Sequence, residues 1–87
     1  MEMTDKEFEV IDELYFVTSY SNLFSQVDLE EDELKTTLKE LIGKNWVRCM
    51  KSMSEEIATE EFDFENQFKS YFYLASKVGL LIHNGMS

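Results

Sequence analysis

The chain has 87 residues, 44% of them hydrophobic and twelve of them aromatic, which suits one small domain with a real core and argues against a disordered segment. Eighteen Asp and Glu stand against eight Lys and Arg, a formal charge of −10, and this disfavours nucleic acid because phosphate backbones are held by clustered cations. A single cysteine, Cys49, and a single histidine, His83, give neither a disulfide framework nor metal-ligand spacing. With no signal-peptide pattern after Met1 and no apolar run of spanning length, the expectation is a soluble cytoplasmic protein without a cofactor or membrane contact.

Thr4 followed by Glu7 is a capping-box spacing, so helix 1 is predicted to start there, with Phe8, Ile11, Leu14 and Tyr15 inward, and to end near Thr18-Ser19. Ser19 can cap a short helix 2 over residues 20–27, with Leu23, Phe24 and Val27 facing in. Asp28 and Glu31 repeat the box spacing before helix 3, predicted over residues 30–44 on the stripe Leu34, Leu38 and Leu41. Asn45 sits where a left-handed residue closes a helix, and Trp46-Val47 opens a strand, with Trp46 expected as a core anchor.

From Phe62 the even positions carry Phe64, Phe68, Phe72 and Leu74, a period-two pattern that predicts a strand over residues 62–74. Paired with residues 46–57, it would make a long hairpin with its tip near Ala58-Thr59-Glu60-Glu61. Tyr71 and Tyr73 would then lie on the outward face, as a pairing surface or under a helix of the same chain. Ser76 is predicted to cap a final helix over residues 77–83 that packs through Leu80, Leu81 and Ile82 and ends at Asn84-Gly85.

The expected class is α+β: a three-helix bundle, a long β-hairpin wing and a short C-terminal helix. That order resembles the winged helix-turn-helix superfamily, especially small bacterial regulators of the MarR and PadR types. The resemblance is carried by Leu23-Phe24, Val27-Asp28-Leu29, Leu38-x-x-Leu41-x-x-x-Asn45-Trp46-Val47 and Tyr73-Leu74-Ala75-Ser76-Lys77. It implies that helix 3 is a recognition helix and that the protein is dimeric. Two departures stand out: Phe24 replaces a small residue, and helix 3 starts Glu30-Glu31-Asp32-Glu33, where DNA-binding relatives meet bases and phosphates.

Those four carboxylates offset the helix dipole, or they present an acidic surface to a basic protein partner. If duplex DNA is bound, Lys35, Thr36 and Lys39 on helix 3 and Arg48, Lys51 and Lys69 on the hairpin are the expected contacts, although Lys35 and Lys39 also suit intrahelical pairing with the acids. The acids around the expected wing lack the alternate spacing and central Gly of a calcium loop. No Gly-rich loop or nucleophile-base pairing supports catalysis, so no enzyme is expected. The sequence favours a protein-interaction or regulatory module, acting on a protein partner or as a homodimer through Glu30, Glu31, Asp32, Glu33, Tyr71 and Tyr73. A dimeric DNA-binding transcription regulator is the alternative.

Overall fold

The computed structural model describes residues 3–85. The elements are α1 (Asp5–Asp12), β1 (Thr18–Ser19), α2 (Tyr20–Gln26), α3 (Glu31–Gly43), β2 (Val47–Met50), α4 (Phe64–Gln67), β3 (Phe72–Ala75) and α5 (Lys77–Gly85). Single 3-10 turns occur at Thr59–Glu61 and Phe68–Ser70. The strands form one small antiparallel sheet in the order β1-β3-β2, so the class is α+β.

Helix starts follow local capping chemistry. Thr4 Oγ1 accepts from the Glu7 N–H at 3.1 Å while Glu7 Oε1 accepts from the Thr4 N–H at 2.9 Å. Ser19 Oγ accepts from the Asn22 N–H at 3.3 Å, and Ser76 Oγ from the Gly79 N–H at 3.0 Å. At α3 the expected Asp28–Glu31 spacing is not the one used. Glu33 Oε1 accepts from the Glu30 N–H at 3.1 Å, while the Asp28 N–H is taken by Glu9 Oε2 at 2.6 Å. Asn45 leaves α3 with φ 67°, the left-handed exit expected of it.

The core gathers Val10, Ile11 and Leu14 after and within α1, Leu23 of α2, Leu34, Leu38 and Leu41 of α3, then Trp46, Val47 and Tyr73. Removing one such aliphatic side chain from water contributes roughly 1.5–3 kcal/mol, so these positions dominate stability. Helix α1 is shorter than its apolar stripe suggests, because the Leu14 carbonyl accepts from the Ala75 N–H at 2.9 Å. That bond ties the segment after α1 to the end of β3 and takes the chain out of helical geometry.

Several expectations are corrected. The long hairpin is not formed: β2 and β3 pair over only four residues each, and residues 51–71 make an excursion containing α4 and the two 3-10 turns. Within it Phe64 and Phe68 stand one helical turn apart and are both buried, which a period-two reading places on a strand. This helical insert changes the phase of the alternation. Tyr71, Tyr73 and Ala75 point inward, so the two tyrosines are core residues rather than an outward pairing surface. Phe24 is 41% exposed, stacked beside Tyr20, and α5 buries Gly79 and His83 while Leu81 stays 64% exposed.

Candidate interaction surface

Helix α3 carries most of the residues singled out by the sequence. Its first turn, Glu31, Asp32 and Glu33 after Glu30, places negative charge at the positive end of the helix dipole. Two of these acids do more. Lys6 Nζ lies 2.7 Å from Glu33 and Lys69 Nζ 2.9 Å from Glu31, so α1 and the segment before β3 are both clamped to the start of α3. The Lys6 hydrogen bond, joined by the Glu30 N–H, holds the Glu33 carboxyl below the usual range. These pairs are exposed, where such contacts contribute little to stability.

The six residues that would have met DNA are dispersed among carboxylates. Lys35 and Lys39 do not pair within the helix as expected from their spacing; both reach Glu65, at 3.2 and 2.8 Å. Hydrogen bonds from these two lysines depress the Glu65 carboxyl. Arg48 pairs with Glu56, Lys51 lies 3.5 Å from Glu61, and Lys69 holds Glu31. Thr36 is exposed on α3. With Lys6 on Glu33 and Lys44 on Glu7, seven of the eight Lys and Arg sit against an acid of this same chain.

No protein-family model matches the chain, and neither a curated protein nor a solved structure matches it. The arrangement of its own residues therefore carries the functional reading.

Tyr71 and Tyr73 have internal hydrogen-bond partners. The Tyr71 hydroxyl accepts from the Asp63 N–H at 2.9 Å, and the Tyr73 hydroxyl donates to the Phe68 carbonyl at 2.6 Å. They pin the excursion after β2 to the sheet, and burial pushes the Tyr73 phenol well above its ordinary value. Burial likewise raises the Cys49 thiol to about 12, which keeps it a protonated, unreactive core neighbour. Among the described residues no group of His, Cys, Asp and Glu is arranged to hold a metal ion, and no helix is long and apolar enough to cross a membrane.

Two clusters escaped the sequence reading. Glu7 is 2% exposed, with Lys44 Nζ at 2.6 Å, and that ammonium also sits 4.7 Å above the Trp46 ring. The Thr4–Glu7 spacing disclosed the cap, but nothing local pointed to a lysine at the far end of α3. His83, 6% exposed, stacks on Phe8 at 4.1 Å, with Nδ1 3.0 Å from the Tyr15 hydroxyl and Nε2 3.4 Å from Asp12. In the last turn of α5, it joins that helix to α1.

Proposed function

We propose that this chain is an acidic winged-helix domain that works as a protein-interaction or regulatory module. The observation that carries the reading is the commitment of seven of eight cations to internal carboxylates, beside a helix α3 that opens on four acids. A phosphate approaching α3 would meet Glu30, Glu31, Asp32 and Glu33 first, and to recruit Lys35, Lys39 or Lys69 it would have to draw them off a carboxylate. The winged-helix part of the reading is supported by the order α1-β1-α2-α3 followed by β2 and β3 with α4 inserted between them, by the sheet order β1-β3-β2 and by the short connection from α2 to α3.

A basic protein surface fits this charge better than a duplex does. The alternative, a dimeric DNA-binding regulator using Lys35, Thr36, Lys39, Arg48, Lys51 and Lys69, is favoured by the element order alone.

The test is capture of partners from the source cell, run with light scattering of the purified protein. The expected result is a stable homodimer or a recovered basic protein whose capture weakens in the Glu31→Lys, Glu33→Lys double variant. A monomer that recovers no protein at all would contradict the proposal.

A further inference from the structure

Helix α5 is covered on one side only. Gly79 and His83 press inward, against Trp46 and Phe8, while Val78 and Leu81 face away and are 51% and 64% exposed. The apolar surface continues sideways onto the segment after α1. Asn84, three residues after Leu81, accepts from the Tyr15 hydroxyl at 3.2 Å, and Phe16, next in the chain, is 82% exposed. Val78, Leu81, Tyr15 and Phe16 thus make up one exposed apolar band, the kind of surface that marks a contact site.

The charges at the two ends of this band say what covers it. Helix α5 carries no Asp or Glu, so two chains of net charge −10 can meet across it without opposing acids from that helix. Lys77, four residues before Leu81, shares its face and is the one Lys or Arg without a carboxylate partner among the described residues. It stands in the first turn of α5, at the end of the helix dipole that disfavours a cation. Asp12 stands beside the other end, 3.4 Å from His83 Nε2, with its side chain 59% exposed and no Lys or Arg partner. About 9 Å of helix separates Lys77 from His83 at 1.5 Å per residue.

An unpaired cation at one end and an unpaired acid at the other make the face self-complementary. Resting on the reading of the chain as an interaction module, we propose that this face pairs with a second copy of the chain about a two-fold axis. The two α5 helices run antiparallel and cross near Leu81. Each Lys77 then reaches the partner's Asp12 and the negative end of the opposite helix dipole, and two ion pairs flank an apolar centre. A helix of nine residues is too small for an interface of about 800 Å² per protomer, so Tyr15 and Phe16 take part in it.

The experiment is sedimentation equilibrium of the purified chain over a range of concentrations, on wild type and on Leu81→Asp, Lys77→Glu and Asp12→Lys. The expected wild type is a dimer. Leu81 is exposed, so Leu81→Asp keeps the wild-type circular dichroism while its dimer dissociation constant rises at least about tenfold. Lys77→Glu and Asp12→Lys each weaken the dimer when alone, because each sets like charges face to face. Mixed in equal amounts, these two variants should associate as wild type does, since each contact in the mixed dimer again joins a cation to an acid. A wild type that stays monomeric, a dimer indifferent to Leu81→Asp, or a mixture that associates no better than its components would overturn the inference. A monomer that still captures a basic protein would remove the α5 pairing and leave the interaction module standing.

Discussion

Gly79→Ala is expected to lower the melting temperature by more than about 10 °C, the consequence of roughly 3 kcal/mol of lost stability in a domain of this size. The first turn of α5 rests directly on the backbone of Trp46, just past the exit from α3. A Cβ on Gly79 would stand 2.2 Å from the Trp46 carbonyl oxygen and 3.0 Å from its carbonyl carbon. That oxygen cannot simply swing away, because it accepts from the Ser76 N–H at 2.8 Å, and Ser76 Oγ in turn donates to the Asn45 carbonyl at 2.7 Å. An added methyl must therefore lift α5 off the sheet or break the junction that holds it. The better helix propensity of alanine, worth about 1 kcal/mol, is too small to offset this. Thermal unfolding followed by circular dichroism, with Gly43→Ala as the control that has open space, checks the result. Equal melting of the two variants would mean that α5 is not seated on Trp46.

Glu7→Ala should cost about 3 kcal/mol at neutral pH, because it removes the second half of the α1 capping box and leaves Lys44 without its carboxylate. The contribution is ionic and so depends on pH. Burial acts to raise the Glu7 carboxyl, but the hydrogen bonds from Lys44 and the Thr4 N–H outweigh it and the net shift is downward. A carboxyl lowered in the folded state stabilises the protein above its unfolded value of about 4.3, and that stabilisation is lost as the pH falls through the folded value. The stability difference between wild type and Glu7→Gln, followed by denaturant titration at several pH values, should accordingly be largest near neutrality and shrink below about pH 4. A difference that stays constant with pH would assign the role of Glu7 to packing alone.

Elements whose signal is local were legible in the sequence. Thr4, Ser19 and Ser76 cap the helices expected of them, the stripe of Leu34, Leu38 and Leu41 is buried, and Asn45 turns the chain toward a buried Trp46. What failed depended on distant partners. The two residues of β1 have no pattern of their own and become a strand only because β3 pairs with them. Phe64 and Phe68 satisfy alternation as well as helical spacing, and in the fold Phe68 packs edge-on against the distant Tyr20 ring. Once residues 64–70 coil, the inward parity of β3 passes to Tyr71 and Tyr73.

The charge of α3 was visible from the first reading, but its bonding was not. Glu31 and Glu33 look like a free acidic run in sequence and are clamps for Lys69 and Lys6 in the fold. The same is true of Lys35 and Lys39, which bind Glu65 across to α4 instead of the acids of their own helix. Internal pairing of this kind neutralises cations at the surface without changing the net charge of −10, and leaves few of them open to a phosphate.

The most direct test of that conclusion is the fluorescence anisotropy of a labelled random-sequence duplex titrated with the purified protein, begun at low salt and repeated as salt is raised. Phosphate contacts are strongest at low ionic strength, so a domain with cations to spare would bind at ~50 mM salt and lose affinity steeply toward ~200 mM. The account predicts no rise in anisotropy at any salt concentration. Binding at low salt that disappears along such a slope would contradict it.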